Sequence, residues 1–316
     1  MILCVTPNPA IDRTLQVDAL HVGEVHRATR VLSTAGGKGI NMARTVRTLG
    51  GEPFCLGLVG GHTGNLLADL AKQEGLSAYW TYMQGETRTC MIVTQPAQDA
   101  TLINEPGVDV SVEECAAFVA DVEAYAAQAE LICISGSLPP GFSLDLFESL
   151  LKSLAARGRP VWVDTSKRAL KTALGVRGLN IKVNASELGD VLGVEISNAE
   201  QARTAANELL NMGTSKVAVT LGKDGAVWVS AAGSWRASSP RIQPVSSIGS
   251  GDAFLGGLVM ALTSGLSPEQ ALCQAVAAGA ANALTFGGGM FSRQDFEAIL
   301  RESISVPVSG RRFPLK

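Results

Sequence analysis

The stretch Ser247-Ile-Gly-Ser-Gly-Asp-Ala-Phe-Leu-Gly-Gly257 sets two glycines, Gly249 and Gly251, directly ahead of an acid, Asp252. The small and apolar residues that follow predict a helix. Glycines there free the backbone N–H groups to turn toward an anion at the helix start. A carboxylate is a poor neighbour for that anion unless it acts on something, and the act open to it is to take a proton from an attacking hydroxyl. An anion cradle with a base beside it is the chemistry of phosphoryl transfer. The bland alternative is a glycine-rich turn with Asp252 as an ordinary helix cap.

A second cluster, Gly36-Gly37-Lys38-Gly39-Ile-Asn41, opens another expected helix and adds the point charge of Lys38. It is not a Walker A loop, because Gly39 follows the lysine where Ser or Thr belongs. The dinucleotide fingerprint fails as well: Gly249-x-Gly251 is followed by Phe254 where a third glycine belongs. A different phosphate architecture is needed.

These loops need elements to hold them. Short apolar runs alternate with longer amphipathic segments. Strands are expected at Ile2–Val5, Pro53–Leu58, Leu131–Ile134, Val161–Asp164, Ile181–Val183 and Lys216–Leu221. Helices are expected at Ile40–Leu49, Leu66–Glu74, Val112–Gln128, Leu144–Ala156, Ala199–Leu210, Ala253–Thr263, Pro268–Leu284 and Gln294–Arg301. The alternation predicts a mainly parallel sheet covered on both faces. Two regions break the rhythm. Asp12–Val17 and Ala28–Thr34 read as extended, and Arg88–Thr94 with Thr101–Asn104 reads as a hairpin around Pro96–Asp99. Together, about 12–34 and 86–104, they predict a small antiparallel flap that closes a site or pairs with another subunit. The tail Ser309–Lys316 reads as frayed.

Composition bounds the rest. The 316 residues suit one large α/β domain, or one plus a small lobe, and 46% hydrophobic against 17% charged residues argues against disorder. The net charge of −3, with no basic run and 5% aromatics, argues against a nucleic-acid partner. The cysteines form no CxxC pair and read as the reduced, buried thiols of a cytoplasmic protein. His21, His26 and His62 have no metal-ligand spacing. The N-terminus lacks a basic region, and no apolar stretch is long enough to span a membrane.

Gly36-Gly37-Lys38-Gly39-x-Asn41-x-Ala43 and Gly249-x-Gly251-Asp252 are similar to the two signatures of the PfkB (ribokinase-like) sugar kinases. Thr6-Pro-Asn-Pro-Ala-Ile-Asp12, Ser135-Gly-Ser-Leu-Pro-Pro-Gly141, Asn184-x-x-Glu187 and Thr220-Leu-Gly-Lys-Asp-Gly225 follow in family order. They resemble the branch containing 1-phosphofructokinase, tagatose-6-phosphate kinase and the minor 6-phosphofructokinase. The resemblance implies a ribokinase-like three-layer α/β/α sandwich with a small β lid, residues 1–316 forming one kinase domain. The extended segments of the flap, which would otherwise leave an unprotected edge, predict a homodimer joined through it. The resemblance also implies an ATP- and Mg²⁺-dependent kinase of a phosphorylated ketohexose, with fructose 1-phosphate first, tagatose 6-phosphate second and fructose 6-phosphate third.

Roles follow from the same resemblance. Asp252 is the expected general base, with Gly249, Ser250 and Gly251 as the anion hole. Asp12, Gly37, Lys38 and Asn41 are expected to hold the sugar, and Arg27 and Arg88, with Ser137, to hold its existing phosphate. Asn184 and Glu187 are expected near Mg²⁺ and the ATP phosphates, Glu187 acting through water. Thr220, Gly222, Gly225, Ser247 and Asn282 are expected to line the nucleotide site. Val183, Ser250 and Ser246-Ser247 depart from the common family pattern without removing a charged group. Two rivals stand beside this reading: a sugar-phosphate sensor on the same fold that has lost catalysis, and a nucleoside or unphosphorylated-sugar kinase. The second leaves Arg27 and Arg88 nothing to neutralise.

Overall fold

A computed structural model of the chain describes residues 1–96 and 99–308. The expected frayed tail, Ser309–Lys316, lies outside them, as do two residues at the apex of the expected hairpin.

In chain order the first part holds β1 (Ile2–Thr6), β2 (Ala10–Gln16), β3 (Arg30–Gly36), α1 (Lys38–Thr48), β4 (Pro53–Gly60), α2 (Gly61–Gln73), β5 (Ser77–Met83), β6 (Thr89–Thr94) and β7 (Thr101–Asn104). The middle holds α3 (Val112–Ala126), β8 (Leu131–Ser135), α4 (Leu144–Ala156), β9 (Val161–Asp164), α5 (Lys167–Leu174), β10 (Asn180–Asn184), α6 (Ala185–Leu192), α7 (Ala199–Met212) and β11 (Lys216–Thr220). The last part holds β12 (Ala226–Ser230), β13 (Gly233–Ser238), α8 (Ser250–Thr263), α9 (Pro268–Ala283), α10 (Arg293–Glu302) and β14 (Ile304–Pro307).

The large sheet has the order β14-β13-β12-β11-β10-β9-β8-β1-β4-β5. From β11 to β5 neighbours run parallel, and β12, β13 and β14 add an antiparallel edge. Strand alternation splits the core in two. Leu3 and Val5 of β1 face one layer with Phe118, Phe147 and Leu209 from α3, α4 and α7. Ile2 and Cys4 face the other with Ile40, Leu67, Leu258 and Leu272 from α1, α2, α8 and α9. This is the α/β/α sandwich. Capping boxes start α3 (Ser111 with Glu114) and α9 (Ser267 with Gln270, Pro268 in the first turn).

The small sheet has the order β3-β2-β6-β7. It differs from the expected antiparallel flap: β2–β3 and β6–β7 are antiparallel, but β2 and β6, which join them, run parallel. The reason is topological. β2 and β6 each leave the large sheet at the same end and enter the small one in the same direction.

Among the described residues, no helix is long and apolar enough to cross a membrane. All six cysteines are free, and five are buried.

Candidate active site

The strand order reverses between β1 and β8, and a crevice opens beyond the carboxyl ends of the parallel strands, where doubly wound sheets bind ligands. The cleft there has a volume of about 970 Å³. Its floor is built from residues at or just past strand ends: Asn8 after β1, Gly136 and Ser137 after β8, Thr165 after β9, Asn184 on β10 and Thr220 on β11. The first turns of α1 and α8 and one face of β2 and β6 supply its walls.

Asp252 sits in the first turn of α8, 7% exposed. The helix is capped by Gly249 with a left-handed φ of 77°, and a Cβ there would stand 2.5 Å from Gly288 Cα. The glycine is needed for both the turn and the close approach. Asn41 Nδ2 donates to Asp252 Oδ2 at 2.8 Å. Burial pushes the Asp252 carboxyl up to about 6 and the Asp164 charge adds to the rise, while Lys38, Lys182 and the Asn41 bond oppose it. A carboxylate near its titration point is suited to accept a proton at neutral pH.

Beneath it lies a charge network that the sequence reading did not single out. Asp164, at the end of β9, is fully buried and accepts from Lys38 Nζ and from Lys182 Nζ, each at 2.9 Å. Burial works to raise its carboxyl, but Lys182 and Lys38 together hold it below the usual value. Burial also works against the Lys38 charge, but Asp164, Asp252 and Glu187 outweigh it and raise its pKa. The available signal was a lysine inside an apolar strand, Ile181-Lys182-Val183, since a buried lysine implies a partner.

On the small-sheet side, burial pushes the Asp12 carboxyl up to about 6, against the pull of Arg44, the Gly37 N–H and Arg88. Arg88 lines the same cleft. Its Nη atoms donate to the carbonyls of Glu105 at 3.0 Å and Asn8 at 2.9 Å. Its buried Nε has no partner. Asn8 Nδ2 in turn donates to Ser137 Oγ at 3.3 Å, and Gly37 and Lys38 complete this wall.

On the opposite side Asn184, Thr220, Gly222, Gly225 and Ser247 all line the cleft. Asn184 and Glu187 form a capping box for α6. Asn184 Oδ1 accepts from Glu187 N at 2.8 Å, and Glu187 Oε2 accepts from Asn184 N at 3.1 Å. That leaves Glu187 Oε1 3.8 Å from Lys38 Nζ.

Three expected site residues are not on the cleft walls: Glu187, which stands beside Lys38, and Arg27 and Asn282. Arg27 is exposed in the connection between β2 and β3. Asn282 is fully buried behind the cradle. Its Nδ2 donates to Ile248 O at 2.7 Å and Ser250 Oγ at 3.1 Å, and its Oδ1 accepts from Gly289 N at 2.6 Å. An amide with every strong bond made inside the fold braces the loop rather than facing a ligand. It also gives the departing hydroxyl of Ser250 its partner.

The cleft fits a nucleoside triphosphate and a hard divalent cation. A Cβ at Gly251 would stand 2.9 Å from Lys182 Nζ, so the bare backbone at the start of α8 and two lysine ammoniums share one space suited to phosphate oxygens. Asn184 and Glu187 supply the oxygen donors such a cation prefers, and with both engaged in the capping box it would bind them through water.

Residues 5–294 match the model of the pfkB family carbohydrate kinases. Among solved structures, phosphofructokinase-2 from Escherichia coli in complex with fructose-6-phosphate is 28% identical, covering 95% of this chain and 98% of that one with a TM-score of 0.86. The same protein is also known in a tetrameric inhibited form. A Staphylococcus aureus protein provisionally described as a phosphofructokinase is 28% identical over 98% of this chain and 100% of that one, with a TM-score of 0.82. A Thermotoga maritima protein provisionally described as a 1-phosphofructokinase is 22% identical over 98% and 99%, with a TM-score of 0.85, a likeness of fold.

Proposed function

The chain belongs to the pfkB family of carbohydrate kinases, and on that premise we propose that it phosphorylates a ketohexose that already carries one phosphate. Fructose 1-phosphate, giving the 1,6-bisphosphate, is the first candidate acceptor. Tagatose 6-phosphate and fructose 6-phosphate are the alternatives. The observation that carries the reading is the pairing, within one cleft, of Asp252 at the α8 cradle with a buried Arg88 Nε that no protein group satisfies. An unmet guanidinium donor calls for an anion, and a phosphate not being transferred supplies one.

In this reading Asp252 accepts the proton of the acceptor's primary hydroxyl as its oxygen bonds to the γ-phosphorus of ATP and ADP leaves. The backbone of Gly249, Ser250 and Gly251, with Lys38 and Lys182, receives the charge that develops on the transferred group. Asp12, Gly37, Lys38 and Asn41 hold the sugar. Arg88 and Ser137 hold its phosphate. Asn184, Thr220, Gly222, Gly225 and Ser247 hold the nucleotide. Asn184 and Glu187 would hold Mg²⁺ through water, where it would neutralise phosphate charge. Arg27 is left out of the clamp, because it stands away from the cleft wall.

The test is kcat/KM for the three ketohexose phosphates and for free fructose, on the wild type and on Arg88→Ala. Losing one charged hydrogen-bonding partner predicts a fall of roughly ten- to a hundredfold with the sugar phosphate and little change in KM for ATP. Equal turnover of free fructose, or an Arg88→Ala variant impaired equally toward ATP, refutes the phosphorylated acceptor. Absence of ATP turnover with every sugar favours the sensor.

The small sheet is proposed to close over the sugar and to pair with its counterpart in a homodimer, since Val31, Leu102 and Ile103 on it are about half exposed. Light scattering, with hydrogen exchange on residues 89–94 and 101–104 with and without substrate, tests both parts. A monomer whose exchange ignores substrate rejects them.

A further inference from the structure

Arg44 lies on α1 one turn beyond Asn41 and is 6% exposed. No expected role falls on it, yet its guanidinium is bonded on every nitrogen. Nε donates to Glu74 Oε2 at 2.6 Å. One Nη donates to Asn41 Oδ1 at 2.7 Å and to the Gly288 carbonyl at 2.8 Å. The other Nη donates to the Ala35 carbonyl.

A guanidinium has donors and no acceptor. The Asn41 atom that faces it must therefore be the carbonyl oxygen, and the amide nitrogen is turned the other way. There it donates to Asp252 Oδ2. An asparagine amide is nearly symmetric in shape, so it is the chemistry of its neighbours that selects one orientation over the flipped one. Asp252, an acceptor when ionised, favours the same orientation, but only Arg44 holds it whether Asp252 is charged or not.

Arg44 is itself held. Glu74, just past the end of α2, spends one carboxylate oxygen on Arg44 and accepts from Ala35 N with the other at 3.2 Å. The Arg44–Glu74 pair thus grips both the N–H and the C=O of Ala35, where β3 of the small sheet runs into Gly36 and Gly37. Its bond to Gly288 reaches the residue against which Gly249 packs.

We propose that Arg44, braced by Glu74, is the positioning residue of this site: it fixes the Asn41 amide in the orientation that donates to Asp252. It also ties that orientation to the root of the small sheet and to the loop behind the anion cradle. The inference rests on Asp252 being the general base.

The consequence for the base is directional. The groups facing Asp252 are Lys38 and Asn41 from α1, Asp164 from β9 and Lys182 from β10. Arg44 acts on it through Asn41. With the amide held, one carboxylate oxygen is tied and stabilised as the anion, and the other is left to take the proton. With the amide free to flip, its oxygen can face the carboxyl and favour the protonated form.

The experiment is kcat against pH, at saturating ATP, Mg²⁺ and the best of the three ketohexose phosphates. It compares wild type, Arg44→Met, Asn41→Ala, the double variant and Asp252→Asn. Arg44→Met is expected to move the acid limb of kcat upward by roughly one pH unit, a loss of about fivefold at the wild-type midpoint and little at about two pH units above it. In the Asn41→Ala background, Arg44→Met is expected to move the limb no further. A loss equal at all pH, or a shift that persists without Asn41, overturns the proposal and makes Arg44 a packing residue. If Arg44→Met does not fold, Arg44→Lys keeps a charge for Glu74 but cannot make all four bonds. Its limb is expected to move the same way by less, and an unmoved limb overturns the proposal. Asp252→Asn separates the two levels. An inactive Asp252→Asn beside an Arg44→Met with the wild-type limb removes only the positioning role. An active Asp252→Asn removes the base assignment and this proposal with it.

Discussion

Asp164 and Asp252 are both buried carboxylates, Asp252 on the cleft and Asp164 beneath it, and both have Lys38 and Lys182 among their charged neighbours. Asp164 accepts from the two ammoniums directly, and they hold it charged below the ordinary carboxylate range. Asp252 feels them without a direct bond, is bonded by a neutral amide, and is pushed up to about 6. Burial acts the same way on each. Partner geometry alone decides that one is a fixed counter-charge and the other can exchange a proton, and paired environments of this kind separate structural acids from working ones.

The largest effect that could break this comparison is catalytic. Asp252→Asn is expected to lower kcat by at least ~10²-fold, the usual contribution of a general base, while keeping ATP and sugar-phosphate binding. Steady-state kinetics with a binding assay checks it. Near-normal kcat would make the two acids alike in being structural.

The next effect is on the fold. Asp164→Asn removes the partner of Lys182, which is only 4% exposed, and strands a buried ammonium. A loss of about 3 kcal/mol in denaturant unfolding is expected. Lys38, 34% exposed, can turn to water and adds less. A loss under ~1 kcal/mol would mean that Lys182 also finds solvent.

The smallest effect sharpens the contrast through pH. Asp252 has a folded pKa above its unfolded one, so its stability contribution is full below pH ~4 and is lost as pH rises through about 6. The charged form then opposes folding by an amount on the order of 2 kcal/mol, and the unliganded Asp252→Asn variant should be the more stable protein at pH 7. Asp164 has the opposite sign: its contribution is present above the unfolded pKa and is lost as pH falls through the lowered folded value. Urea titrations from pH 4 to 8 should give wild-type-minus-variant curves that fall with pH for Asp252 and do not fall for Asp164. Parallel curves would erase the distinction.

Much of the frame was legible in the chain. Six parallel strands, β1, β4, β8, β9, β10 and β11, were readable because buried strands carry unbroken Val, Ile and Leu runs, and the long helices because their apolar faces repeat; β5 and the antiparallel edge strands β12, β13 and β14 were not. β5 was missed: Ser77-Ala-Tyr-Trp-Thr-Tyr-Met83 is an edge strand with half its residues open to solvent, so it lacks such a run. α5 and α6, at eight residues each, are too short for a helical period to stand out, and α6 is set by its Asn184–Glu187 capping box. In the site, glycine-framed acids and loops announced themselves by residue type. Arg27 and Asn282 did so as well, but nothing local distinguishes an arginine near a ligand from one in water, or an amide lining a pocket from one bracing a loop.

The sequence alone determined the sandwich, the two glycine loops that open α1 and α8, and the place of Asp252 in the first turn of α8, because periodicity, backbone freedom and side-chain type are local properties. The tertiary structure alone decided the rest. It set Asp164 of β9 between lysines 126 positions back and 18 positions on. It joined β2 to β6 in parallel, and it turned Arg44 and Glu74 onto Asn41 and Ala35. Burial and the pairing of charges depend on which distant segments meet. Those meetings decide which of two aspartates is held charged below the ordinary carboxylate range and which is pushed up to about 6.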